Sequence, residues 1–155
     1  MLNLKKKYIL YNNKLDKNKK FKNDYDSIII HIKTTLNNTL LTLTNFEGDV
    51  LVKCSAGSCG FKGSRKSTPF AAKKVVEFFI RKSSDYLFKC SQIKVHVCGF
   101  GPGRESALRG LSSIRDIMTK IKSSKKRIFP NKITVICEMT KIPHNGCRPP
   151  KKRRL

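Results

Sequence analysis

The sequence predicts an α/β fold: a mixed five-stranded sheet, built as an antiparallel meander followed by strand–helix–strand–helix–strand, with two packed helices and basic termini. Three observations carry this expectation. Three short segments of alternating apolar residues follow one another between positions 27 and 54, with turn-sized connections. Beyond them, segments of helical period alternate with segments of period two. A length of 155 residues with 39% apolar content suits one domain with a real core, with or without tails.

Residues 1–24 have no sustained period and read as a basic N-terminal extension ahead of a body at 25–140. In 27–33, Ile28, Ile30 and Ile32 alternate with Ile29, His31 and Lys33, and the pattern continues through Leu41 and Leu43 at 39–44. Asn45-Phe46-Glu47-Gly48-Asp49 is a hairpin turn leading into a third strand at 50–54. Residues 55–68 carry three Gly, four Ser and three basic side chains, the composition of a loop. Thr68 is placed to cap and Pro69 to occupy the first position of a helix over 69–83. Its apolar stripe is Ala71, Val75, Phe78 and Phe79, with Lys73, Lys74, Glu77 and Arg81 facing out. A fourth strand at 92–98 points Ile93, Val95 and Val97 inward. The second glycine-rich turn, Gly99 to Gly103, opens a helix over 104–121 with the stripe Ala107/Leu108, Leu111, Ile114, Ile117/Met118 and Ile121. A basic loop at 122–132 precedes the last strand at 132–139, which places Ile133, Val135 and Cys137 on one face. Residues 141–155 form an extended basic tail, because Pro143, Pro149 and Pro150 exclude a helix.

Charge narrows the function. The chain has 34 Lys and Arg against 10 Asp and Glu, a formal net charge of +24. Residues 1–23 contribute +7, residues 141–155 contribute +6, and the part between contributes +11, so both body and ends are basic. Such an object attracts polyanions, nucleic acid or an anionic membrane surface first. No apolar run approaches the roughly 18 residues a membrane helix needs, and membrane-surface binding has only charge in its favour.

Catalytic and metal chemistry find little support. The six cysteines include no C-x2-C pair, and His31, His96 and His144 make no H-x3–5-H pair, so local zinc-ligand spacing is missing. Cys98 and Cys137 read as small core residues, and free thiols in a reducing compartment fit better than disulfides. From Gly57 the sixth residue is Lys62 rather than Gly, so the Walker phosphate loop fails; Arg104 occupies the third glycine site of the dinucleotide fingerprint. No Ser or Cys has a nucleophile signature, and no carboxylates pair at a strand end to hold a metal or run acid–base chemistry. His31 and His96 read as strand residues rather than ligands. No enzyme activity, cofactor or metal is expected.

The two glycine-rich loops share one design. A strand ends, a glycine-rich turn follows and a helix begins, which aims backbone N–H groups and the positive helix end at an anion. Lys62, Arg65 and Lys66 add charge in the first loop, Arg104 and Arg109 in the second. Both loops lie at strand ends facing the same side of a simple β-α-β-α-β arrangement, where they can grip one phosphate chain. The tail from Ile142 to Arg154 presents its basic side chains without folding, suited to threading between RNA helices.

Three segments, GFKGSRKSTPFAA at 60–72, GPGRESALRGL at 101–111 and IPHNGCRPPKKRR at 142–154, together and in this order resemble the bacterial-type small-subunit ribosomal protein 11 family. The resemblance covers about 25–155. It implies a non-enzymatic constituent of the small-subunit platform that binds ribosomal RNA (rRNA), lies near the exit-site end of the mRNA path and neighbours small-subunit ribosomal proteins 7 and 18. The RNA-facing positions it carries over are Lys62, Arg65, Lys66 and Ser67, then Gly103, Arg104, Glu105 and Ser106, then His144, Asn145, Arg148, Lys151, Lys152, Arg153 and Arg154. Departures from the family pattern are a longer second helix with a Lys/Arg-rich insertion over 112–132, Thr140-Lys141-Ile142-Pro143 in place of T-P-I-P, and Cys98 and Phe100 interrupting a stretch that is usually simpler. With 25 Lys and 10 Asn, a bias of AT-rich genomes, and an added N-terminus, these suggest an organelle ribosome, in the mitochondrial matrix; plastid and bacterial cytoplasm are the alternatives. A free-standing RNA-binding regulator or RNA chaperone is the other functional reading.

Overall fold

The computed structural model of the chain describes residues 27–121 and 132–148. The N-terminal extension, the basic run at 122–131 and the tail residues Lys151, Lys152, Arg153 and Arg154 lie outside the described residues. Five strands form one sheet: β1 (Ser27–Thr34), β2 (Thr39–Asn45), β3 (Val50–Ser55), β4 (Gln92–Cys98) and β5 (Ile133–Glu138), in the order β3-β2-β1-β4-β5. β1 pairs antiparallel with β2, and β2 with β3, while β1–β4 and β4–β5 are parallel. Hence β1, β3, β4 and β5 all run the same way, and only β2 opposes them.

The alternation read from the sequence is the alternation seen. Ile28, Ile30 and Ile32 in β1, Leu41 and Leu43 in β2, and Ile93, Val95 and Val97 in β4 are buried, and the residues between them are not. Burial on every second residue means that one sheet face is covered and the other open. The cover consists of α1 (Pro69–Lys82), α2 (Ser84–Lys89), α3 (Arg104–Ser112) and α4 (Ile114–Ile121). Val75, Val76, Phe79 and Ile80 of α1 and Leu111, Ile114 and Met118 of α3 and α4 complete the core. On the open face His31 and His96 meet edge to face, with ring centroids 5.2 Å apart. Partial burial, and secondarily the neighbouring His96, lower the pKa of His31.

The expected helix over 104–121 is a pair of helices placed end to end, and the one expected over 69–83 is followed directly by the short α2. Ser83 Oγ donates to the carbonyl of Phe79 at 2.7 Å, and Ser113 Oγ to that of Gly110 at 2.9 Å. A serine hydroxyl bonded back to the preceding turn competes with the helical ladder and turns the chain. The 104–121 helix therefore breaks at Ser113. α2 is not expected from the sequence, since six residues are too few for a readable period. Lys132 Nζ, just ahead of β5, donates to the carbonyls of Leu87 (3.0 Å), Phe88 (2.9 Å) and Cys90, and so closes the C-terminal end of α2.

Two assignments to the core need correction. Phe78 is 44% exposed, because Val76 and Ile80 take the inward positions on α1. Cys98 and Cys137 are only half-buried, on the open face and the edge strand, whereas Cys54 and Cys90 are the buried thiols, with pKa values raised chiefly by desolvation. No helix among the described residues is long and apolar enough to cross a membrane.

Candidate nucleic-acid interface

Because β3, β4 and β5 are mutually parallel, the three basic segments that follow them leave the sheet at the same end. The first is the loop after β3. Its start is set by Ser55 and Ser58, whose hydroxyls each accept from the other's backbone N–H, at 3.2 and 2.8 Å. Gly60 takes the left-handed φ of +87°, and Phe61 N–H returns to the carbonyl of Ala56 at 3.1 Å. A 3-10 turn over Gly63–Ser67 then delivers the chain to α1. Thr68 Oγ1 donates to the carbonyl of Arg65 at 2.9 Å and accepts from Ala71 N–H at 3.2 Å, so one hydroxyl joins turn to helix. Pro69 occupies the first helical position as expected. Lys62 and Arg65 are exposed, Lys66 and Ser67 half-buried. Among the described residues no carboxylate lies within 4.0 Å of Lys62, Arg65 or Lys66.

The second segment, after β4, is pinned against the β1–β2 turn. A Cβ on Gly99 (φ +92°) would lie 2.0 Å from the carbonyl oxygen of Thr34, and one on Gly101 would lie 2.2 Å from that of Thr35. Only glycine fits at either position. Thr34 Oγ1 donates to the carbonyl of Gly99 at 3.2 Å, and Gly99 N–H donates to Thr140 Oγ1 at 2.8 Å. Gly103 is buried, and a Cβ there would meet Thr39 Oγ1 at 2.6 Å and Ala72 Cβ at 2.8 Å. The starts of α1 and α3 are therefore in contact. Phe100, between two fixed glycines, projects into solvent at 76% exposure.

Arg104 is held. It donates to the carbonyl of Gly99 at 2.8 Å and pairs with Glu138 at the end of β5. Thr140, through its hydroxyl, and Arg104 hold the Glu138 carboxyl down to about 2. The clamp Gly99–Arg104–Glu138–Thr140 fastens the second loop to the root of the tail. Glu138 and Thr140 were not candidates in the sequence, and no local signal marks them: Glu138 reaches Arg104, and Thr140 reaches Gly99, only through the parallel β4–β5 register. Glu105 pairs with Arg109 one turn along α3, both exposed, and Ser106 is half-buried beside them. In the tail, His144, Asn145, Gly146 and Arg148 are exposed, and Asn145 adopts φ +53° at the Asn-Gly step. Among the described residues no three His, Cys, Asp or Glu side chains converge to hold a metal.

Residues 28–154 match the family model of ribosomal protein S11. The chain belongs to the ribosomal protein S11 family. It is 50% identical over 137 residues to the small ribosomal subunit protein uS11c of Oltmannsiellopsis viridis, covering 88% of this chain and 93% of that one. The small ribosomal subunit protein uS11 of Halorhodospira halophila is 46% identical over 137 residues, covering 88% and 92%. That of Chromobacterium violaceum is 42% identical over the same length, with the same coverage. All three basic segments fall inside the S11 match, as do the glycines that seat the second loop. S11 membership makes the chain structural rather than catalytic. It also assigns the chain to the small ribosomal subunit of an organelle or a bacterium, with rRNA and ribosomal proteins as its partners.

Proposed function

We propose that this chain holds the platform of the small ribosomal subunit together by clamping rRNA phosphates at the end of its sheet where three basic segments emerge. The observation that supports this most is the common exit of those segments from parallel strands, beside two helix N-termini in contact. In this reading 25–140 is the RNA-binding domain, and 1–24 and 141–155 are basic arms. Lys62, Arg65 and Lys66 bind phosphate through their free charges, with Ser67 beside them. Arg104, Glu105, Ser106 and Arg109 frame the start of α3, and Gly103 sets the approach of α1 to α3. His144, Asn145, Arg148, Lys151, Lys152, Arg153 and Arg154 follow the RNA outward. Small-subunit ribosomal proteins 7 and 18 are its neighbours, and the mRNA exit path runs nearby.

Six to ten phosphate contacts make affinity fall by roughly 10^3–10^5 between 50 and 200 mM salt. Arg65→Ala is the cleanest test, since Arg65 has no carboxylate partner among the described residues. Filter binding to small-subunit rRNA across a salt series is expected to show weaker binding and a salt slope reduced by about one. Unchanged affinity and slope would overturn phosphate binding by this loop. We place the chain in an organelle ribosome: the Lys and Asn bias favours the mitochondrion, while the uS11c relatives favour the plastid as a second reading. Fractionation of purified organelles decides between them.

A further inference from the structure

The outer surface of α1 is not the solvated polar face that an amphipathic helix presents. Phe70, Lys74, Phe78 and Arg81 succeed one another at spacings of four, four and three along it, and Phe70 and Phe78 are 62% and 44% exposed. With Phe61 from the first loop they line an open groove of about 450 Å³. The Phe61 and Phe70 rings meet edge to face at 6.2 Å, and Lys74 Nζ stands 5.9 Å from the Phe70 centroid, so the Phe70 ring is oriented while most of its surface stays open. The groove's one carboxylate, Glu77, is already paired with Lys74 at 2.9 Å. Around Phe61 the groove runs into the hollow lined by Lys62 and Arg65. An aromatic floor inside a cationic rim matches a nucleic-acid strand: π-faces take bases whatever their identity, and the cations take the flanking phosphates.

We propose that this groove receives unpaired bases of the rRNA, one stacked on Phe70 and another on Phe78 two helical turns away, with the flanking phosphates held by Arg81 on one side and Lys62 and Arg65 on the other. The proposal rests on the phosphate-binding role of the neighbouring loop and extends it from phosphate to base. The test uses the full chain and small-subunit rRNA, with Phe70→Ala, Phe78→Ala, Phe70→Tyr and Arg65→Ala. Both phenylalanines are exposed, so the alanine variants are expected to fold, and thermal melts verify it. Loss of one stacked base weakens binding roughly 5- to 150-fold. Each alanine variant is expected to show that loss at every salt concentration with the salt slope unchanged, and Phe70→Tyr to retain wild-type affinity. Wild-type rRNA affinity in both alanine variants, with Arg65→Ala still weakened, overturns the base site alone. If those alanine variants were also lost from assembled subunits, the groove would hold a protein instead. No change of slope in Arg65→Ala overturns the phosphate role, and the base site with it.

Discussion

Gly99 and Gly101 fix the second loop at the scale of single atoms, because the Thr34 and Thr35 carbonyl oxygens stand where their Cβ atoms would be. Gly99→Ala combines a left-handed φ with a backbone clash, and is expected to cost roughly 2–5 kcal/mol in chemical denaturation. Gly57→Ala is the control, since its Cβ would meet only Ser55 Oγ at 3.7 Å. The clamp on Arg104 gives a pH signature. A Glu138 carboxyl held down to about 2 contributes stability that is complete above its ordinary value near 4.5 and is lost as pH falls through about 2. Glu138→Gln is therefore expected to flatten the acid-unfolding profile between about pH 4.5 and 2. A profile identical to wild type would show that the clamp adds nothing. The basic residues of the candidate interface could be picked out in the sequence because charge and glycine spacing are local. The acid that fixes one of them was not, since Glu138 lies 34 residues from Arg104.

Elements were legible where their signals were local as well. Thr68-Pro69 marks the start of α1, and the structure places the Thr68 cap and Pro69 as the sequence implies. Thr68→Ala removes a bond to the helix and another to the preceding turn, and is expected to lower stability by about 0.5–2 kcal/mol. It should also loosen Arg65, visible as faster amide exchange over residues 63–68. Equal exchange in variant and wild type would contradict the joint role of that hydroxyl. The break at Ser113 escaped because Ile114, Ile117 and Met118 keep the apolar period across it. Phe78 misled for a related reason: Phe78 and Phe79 are adjacent, and only packing against the sheet decides which one turns in. α2 and its Lys132 closure escaped because that helix has only six residues and its cap comes from 42–45 residues downstream.

For the molecule as a whole, strand direction gathers the candidate interface. The meander and the following strand–helix units could be read along the chain; the placement of β1 between β2 and β4 could not, since it depends on pairing Ser27–Lys33 with Gln92–Cys98. That placement makes β3, β4 and β5 parallel and gathers the basic loop, the glycine-rich turn and the tail at one end, with net charge +24 behind them. A free RNA chaperone would use the same surface, so partner and particle, rather than chemistry, separate it from a ribosomal constituent. The most direct measurement is sucrose-gradient sedimentation of native lysate after a high-salt wash, with immunodetection of this chain. A structural S11 protein is predicted to comigrate with the small ribosomal subunit. Recovery of the chain at the top of the gradient, with small subunits intact below it, would contradict the account.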